Sequence, residues 1–275
     1  MLTTADRLLT TLTPAFYRSL WLVFRSVKPS RLMETEELVL DLLVYRNREA
    51  VDVGANMGSY TLRLMSLCPK VYAFEPNADC ADRLERFAGS RLIFSRAALS
   101  DRDGTAMLNA PVKDGVTLAA LGTLEAIGSE KAGSGSAQET RSQEVALDRL
   151  DRLADRDIGF VKIDVEGHEV NVLKGGEALI SKARPRVLVE IEERHRAGAM
   201  TEATAFFERH GYTGFFILNG TCRPLSDFSA DMQPVAELSR PVSRREMRYA
   251  NNFIFCPSAQ DAATLTGKIE ARLRA

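Results

Sequence analysis

A carboxylate, two glycines and a second carboxylate stand in this chain at spacings that suit a nucleoside ligand. They lie in Val51-Asp52-Val53-Gly54-Ala55-Asn56-Met57-Gly58-Ser59-Tyr60 and in Val71-Tyr72-Ala73-Phe74-Glu75-Pro76. The first run reads as a β-branched strand closing on an acid and a glycine turn, the second as an apolar strand closing on a glutamate. In a βαβ unit such glycines let the backbone turn tightly against a ligand, and an acid after the second strand accepts both hydroxyls of a ribose. Asp52, Gly54, Asn56, Gly58, Tyr60, Glu75 and Pro76 are therefore the expected cofactor contacts, with Phe74 beside an adenine. A tight structural βα turn without a ligand is the plainer reading of the same residues.

Asp52 bears on which cofactor this is. Dinucleotide folds carry G-x-G-x-x-G and seat a pyrophosphate on the helix N-terminus, whereas these glycines fall as G-x-x-x-G with an aspartate two residues ahead. At about 4 Å and an effective dielectric near 20, a carboxylate and a phosphate charge repel by roughly 4 kcal/mol. S-adenosylmethionine removes the conflict, because it has no phosphate and carries a sulfonium and an ammonium. A Walker-type loop is excluded too, since the Lys-Ser/Thr that follows its glycines is missing.

The elements that must position these residues follow from the pattern along the chain. Glu34 to Tyr45 reads as a helix with Leu38, Leu42 and Leu43 inward, Asp79 to Ala88 as a helix, Arg91 to Ala97 as a strand and Ser100 to Gly104 as a turn. Val145 to Arg152 reads as another helix. Phe160 to Ile163 and Arg186 to Ile191 are buried strands that end in acids, and Gly214 to Leu218 and Asn252 to Phe255 are late strands. Strand alternating with helix means a parallel sheet covered on both faces. Ligands in such sheets bind outside the carboxyl ends of the strands, and Asp52, Glu75, Asp164 with Glu166, and Glu190 all reach that edge. Carboxylates crowded there repel unless a cation, a donor or a substrate hydroxyl answers them.

Three parts of the chain carry their own readings. Leu8, Leu12, Phe16, Leu20, Phe24 and Val27 recur at helical spacing, which suits a helix packed on the domain or, with Trp21 and flanking arginines, a weak membrane-surface contact. The apolar run is too short for a transmembrane segment, and no signal-peptide cleavage pattern follows it. Gly128 to Thr140, with Gly-Ser-Gly-Ser at its centre, is expected to be a flexible loop, either a tolerated insertion or a lid. The expected division is residues 1–46 as an N-terminal helical extension, 47–257 as the main domain and 258–275 as a C-terminal helix.

Composition narrows the partners. In 275 residues a formal net charge of -1 argues against a broad nucleic-acid face, so no nucleic acid is expected. Cys68, Cys80, Cys222 and Cys256 form no C-x-x-C pair, which fits neither a zinc site nor a disulfide framework. A soluble, cytoplasmic protein is the expectation.

A resemblance then becomes specific. Asp52-Val53-Gly54-Ala55-Asn56-Met57-Gly58, Phe74-Glu75-Pro76-Asn77, Ala98-Leu99-Ser100-Asp101, Leu147-Asp148 and Val161-Lys162-Ile163-Asp164-Val165-Glu166-Gly167-His168-Glu169 with Leu173-Lys174-Gly175-Gly176 occur in this order. Over roughly residues 48 to 256 the chain resembles the FkbM-type methyltransferases. The resemblance implies a Rossmann-like class I fold, with a mostly parallel seven-stranded sheet, helices on both faces and an antiparallel C-terminal strand. It also implies S-adenosylmethionine as methyl donor, O-methylation of a glycan or secondary metabolite, and Ala98 and Asp164 among the cofactor contacts. Two departures stand out: Gly115 to Leu124 lacks the Gly-x-x-Ser pattern, and His168 replaces a small residue.

A sulfonium is already an activated donor, so the protein must align the acceptor oxygen and exclude water. Proton removal by a positioned base adds about 10² to 10⁴-fold. Asp164, Glu166, His168 and His195 are the catalytic candidates, with Glu166 and Glu190 on the substrate. Lys162 reads either as an ion-paired structural lysine or as a catalytic group. Asp164, Glu166 and Glu190 could ligate a hard divalent cation, but the resemblance requires no metal and none is expected. Two other classes remain: a nicotinamide-dependent reductase, which lacks its G-x-G-x-x-G here, and a noncatalytic cofactor-binding module.

Overall fold

The computed structural model describes residues 34–113, 116–117, 122–124, 140–239 and 248–274. The expected N-terminal helix lies outside them, as does the Gly-Ser loop except for its last residue, Thr140. In chain order the elements begin with two short helices, α1 (Thr35–Leu38) and α2 (Leu40–Leu43), followed by β1 (Glu49–Val53), α3 (Ser59–Leu67), β2 (Val71–Phe74), α4 (Ala78–Leu84) and β3 (Leu92–Ser95). Next come β4 (Ala98–Leu99), β5 (Gly104–Lys113), β6 (Val116–Thr117), β7 (Thr140–Asp148), β8 (Ile158–Ile163), α5 (Glu169–Lys174), α6 (Glu177–Ala183) and β9 (Arg186–Glu190). Then α7 (Ala199–Arg209), β10 (Thr213–Leu218), β11 (Thr221–Pro224), β12 (Asn252–Cys256) and α8 (Ala259–Arg274) complete the described chain.

The central sheet runs β11-β10-β12-β9-β8-β1-β2-β3. Strands β3, β2, β1, β8 and β9 pair in parallel, and β12 enters antiparallel between β9 and β10. This is the Rossmann-like class I arrangement with its antiparallel C-terminal strand. An eighth strand, β11, extends it by the hairpin that Asn219-Gly220 turns, both at positive φ.

Side chains alternate across the sheet, so each strand feeds two cores. Val51, Val53, Val161, Ile163, Val187 and Val189 meet Leu173, Ile180 and Phe207 of α5, α6 and α7 on one face. Ala50, Phe160 and Leu188 meet Leu40, Leu43, Leu62, Leu265 and Ile269 of α2, α3 and α8 on the other. The same alternation turns Asp52 and Lys162, which are register partners, to the α3 face.

A second sheet, ordered β4-β7-β5-β6, stands apart from the first. Its β7 covers the first half of the segment read as a helix over Val145 to Arg152. Val145 and Leu147 are buried while Glu144 and Ala146 are exposed, a period of two that pairs β7 with β5; only Leu150–Leu153 winds, as one 3-10 turn. The helix expected over Glu34 to Tyr45 also differs. It breaks at Val39 into α1 and α2, and the break rotates Glu36 and Glu37 into the interior with Leu43, leaving Leu38 and Leu42 half-buried.

Candidate active site

The chain reverses direction across the sheet between β1 and β8, and the ends of these two strands are in contact. Gly54 N–H and Ala55 N–H both donate to the Phe74 carbonyl at 3.0 Å, and Asp164 N–H donates to the Val53 carbonyl at 3.0 Å. Gly54 adopts φ +76, and a Cβ there would lie 1.8 Å from the Asp164 carbonyl oxygen, so no side chain fits. Asn56, also left-handed at φ 48, donates its N–H to Glu75 Oε2 at 2.7 Å, and Asn77 N–H donates to Oε1 at 2.8 Å. Glu75 is thereby aimed along the βα turn; burial pushes its carboxyl up to about 7, against the pull of these two N–H donors.

A cavity of about 300 Å³ opens at this crossing. Its wall brings together Gly54, Asn56, Glu75, Pro76, Ala98, Asp164, Glu166, His168 and Glu190 from five strands and their loops, with Phe74 and Leu99 supplying apolar surface. Asp52, Gly58, Tyr60 and His195, expected at the ligand, do not reach the wall. The strand alternation turns Asp52 away, to accept from Thr61 Oγ1 in the interior, where burial raises its carboxyl to about 6. Gly58 packs against Leu84 at the head of α3, the Tyr60 hydroxyl donates to Glu34 Oε2 at 2.9 Å, and His195 stands behind Glu166.

Other wall residues were not anticipated. Glu34 arrives ahead of α1, and Leu108, Gly122 and Leu124 come from the second sheet and its loop. The acids at Glu34, Glu36 and Glu37 are the signal for the first, because three carboxylates in four residues sit badly on an apolar helix. Nothing in the sequence signals the second group, whose placement depends on β5 pairing with the distant β7.

Lys162 is only 1 % exposed and lies beneath the wall. Its Nζ is 3.6 Å from Asp164 Oδ2, 3.6 Å from Glu190 Oε2 and 5.2 Å from the Tyr60 ring centroid. Burial disfavours its charge, but Asp164, Glu190, Glu34 and Asp52 together hold the ammonium above its ordinary value. This is the ion-paired structural lysine of the two sequence readings. Among the described residues the wall carries Glu34, Glu75, Asp164, Glu166 and Glu190 and no lysine or arginine. No cluster of the described residues has the arrangement of a metal site.

The loop after β8 is braced from below. Glu166 holds a left-handed backbone at φ 52, the following Gly167 holds φ 104, and buried Glu169 Oε1 accepts from Gly167 N–H at 2.8 Å and Val165 N–H at 3.4 Å. His168 precedes α5 and its Nε2 lies 2.9 Å from Ser100 Oγ, which ties the loop to the end of β4.

Burial raises several of these acids together: Glu36 and Glu166 to about 8, Glu75 and Glu169 to about 7. The folded chain therefore binds protons more tightly than the unfolded chain. That stability is complete below the ordinary carboxylate range and is lost as pH rises through about 8. The melting temperature of the ligand-free protein should fall by about 5 °C or more between pH 6 and pH 8.5, since roughly 2–4 °C accompany each kcal/mol in a chain of this size. Scanning calorimetry at constant ionic strength reads this directly, and a flat profile would mean that these carboxyls are already ionised in the fold.

The cavity thus has a glycine crossing, a braced glutamate after the second strand and an acidic wall that carries no lysine or arginine among the described residues. The model of the methyltransferase FkbM domain matches residues 52–213. No curated protein matches the chain. Among solved structures, the methyltransferase FkbM of Methylobacillus flagellatus KT is similar at 15 % identity and a TM-score of 0.47, over 76 % of this chain and 44 % of that one. The present chain thus spans less than half the length of that protein. A TehB-like SAM-dependent methyltransferase of Corynebacterium glutamicum is similar at 10 % identity and a TM-score of 0.39, over 88 % and 97 % of the two chains. An rRNA methylase of Streptococcus thermophilus is similar at 12 % identity and a TM-score of 0.42, over 80 % and 91 %. The family model covers more than half of the sequence and begins at Asp52, the first residue of the glycine motif, and on that match the chain belongs to the FkbM methyltransferase domain family.

Proposed function

We propose that this protein transfers a methyl group from S-adenosylmethionine to a hydroxyl of a glycan or secondary metabolite. The cofactor is S-adenosylmethionine, which supplies an electrophilic methyl on a positively charged sulfur. The observation that carries the reading is the acidic wall, which among the described residues holds five carboxyls and only the buried Lys162 beneath two of them, because a ligand bearing a sulfonium and an ammonium suits it and a phosphate does not. Glu75 stands where it can accept ribose hydroxyls, Phe74, Pro76 and Ala98 offer a face to an adenine, and Asp164, Glu190 and Glu34 face the cationic end. The crossing at Gly54 leaves room for backbone to approach the ligand. An acceptor would enter beside Glu166 and Glu190, under Leu108 and Leu124. The reaction belongs in a reducing compartment such as the cytoplasm, which the four free cysteines suit.

Incubation with methyl-labelled S-adenosylmethionine and a panel of neutral sugars, oligosaccharides and polyketide alcohols tests this. Label should appear as an ether methyl. Glu166→Gln should lower turnover about 10² to 10⁴-fold, as expected for loss of a general base, while affinity for S-adenosylhomocysteine stays within threefold. Tight NADH binding with no binding of S-adenosylhomocysteine in calorimetry would sink the proposal.

A further inference from the structure

The Glu166 carboxyl is the inner end of a line of groups that leads from the cavity toward solvent. His195 Nε2 lies 3.0 Å from Glu166 Oε2 and 3.3 Å from Glu192 Oε2, so one imidazole nitrogen sits between two carboxyls. Glu192 is buried and is itself held by Arg194 Nε and by Asn251 Nδ2. The His195 side chain is 15 % exposed, but its Nε2 is buried between the two carboxyls.

The Glu166 end is fixed as firmly. Its backbone is left-handed, its carbonyl accepts from Thr123 Oγ1 at 2.8 Å, and Glu169 ties down the residues on either side. Asp164, the other acid at this strand end, lies 3.6 Å from the Lys162 ammonium.

Resting on the methyl-transfer reading above, we propose that Glu166 takes the proton of the acceptor hydroxyl. His195, anchored by Glu192, is the positioning residue that aims Glu166. In the step, the acceptor oxygen bonds to the methyl carbon, the methyl–sulfur bond breaks with its electron pair staying on sulfur, and the hydroxyl proton goes to Glu166 Oε2. It then leaves Glu166, whose side chain is 21 % exposed, for water as product departs.

The electrostatics agree. Burial raises the Glu166 carboxyl to about 8, with Asp164, Glu192 and Glu169 adding to the rise and Arg194 opposing it, which makes it a competent base near neutral pH. Burial would raise Glu192 as well, but hydrogen bonds from His195 and Arg194 hold it down to about 2, so it is charged and can stabilise an imidazolium. Tyr249, beside Glu192 and Arg194, completes the groups around this line.

The test uses the full chain with S-adenosylhomocysteine bound and its histidines labelled with ¹⁵N. Only three histidines are present, and His195→Gln identifies the signal of interest. Glu192→Gln and Glu166→Gln should each move the His195 ring ¹⁵N signals, because each removes a carboxylate within 3.3 Å of Nε2. Ring signals that move in neither variant overturn the proposal without any acceptor being known. On an acceptor that takes label in the panel above, His195→Gln should cut kcat tenfold or more, leave KM within twofold and displace the pH profile. An unchanged pH profile in that variant would also overturn it. Failure to bind S-adenosylhomocysteine at all would instead strike the methyl-transfer reading, and the same ¹⁵N spectra of the ligand-free chain would still report on the His195 contacts.

Discussion

Gly54→Ala should abolish cofactor binding, with affinity for S-adenosylhomocysteine falling more than 100-fold in isothermal calorimetry. The added methyl would lie 1.8 Å from the Asp164 carbonyl oxygen, and that oxygen belongs to backbone, which cannot swing aside. Relief requires β1 and β8 to part at their ends. Parting them breaks the Asp164 N–H bond to Val53 and moves Glu75 and Asp164 off one cavity wall. The left-handed φ adds about 1–2 kcal/mol of strain for any residue with a Cβ. Gly58→Ala is the control. Its φ of +87 incurs the same strain, but the contact is with the Leu84 Cδ2 atom, at the end of a side chain that can turn. It should lose stability while retaining binding within about tenfold. Wild-type affinity in a folded Gly54→Ala protein would dismiss the crossing as the ligand-binding turn.

Lys162→Met should destabilise the fold by about 3–5 kcal/mol, the usual cost of removing one partner from a buried ion pair, and should lower the melting temperature by roughly 10 °C. Asp164 and Glu190 would then face each other, Glu34 and Asp52 with nothing at the centre. The loss should be larger at pH 8 than at pH 5.5, because protonated carboxyls no longer need the ammonium. Adding Glu190→Gln to Lys162→Met should restore part of it. A single variant as stable as the wild type at pH 8 would show that these acids are neutral and that the ammonium contributes little.

The residues that are legible in the sequence are those whose role is local. Gly54, Asn56 and Glu75 lie within one βαβ unit, and the acids that close β8 and β9 declare themselves by following apolar runs. Asp52 shows the limit of that logic: its position in the motif is right, but strand alternation points it at Thr61 and away from the cavity. Lys162 is its partner in the same polar row, and only the strand register reveals that the row is continuous. Leu108 and Leu124 are out of reach altogether, because they depend on β7, whose Val145, Leu147 and Leu150 mimic a helical spacing until β5 pairs with it. His195 was visible as a histidine after a strand, yet its two glutamate neighbours are the property of the folded loop.

The position of β12 has a consequence for how the protein is made. This strand follows both β9 and β10 in the chain, yet it lies between them and supplies the edges to which both are hydrogen-bonded. While the ribosome adds residues at about 5–20 per second, β9 has an open edge and β10 has nowhere in the sheet to dock for a few seconds. The segment matched by the family model ends at residue 213, at the start of β10, so a nascent chain of that length still exposes the apolar edge of β9. Chaperone engagement and aggregation during synthesis should therefore concentrate in the interval between the emergence of β9 and that of Cys256.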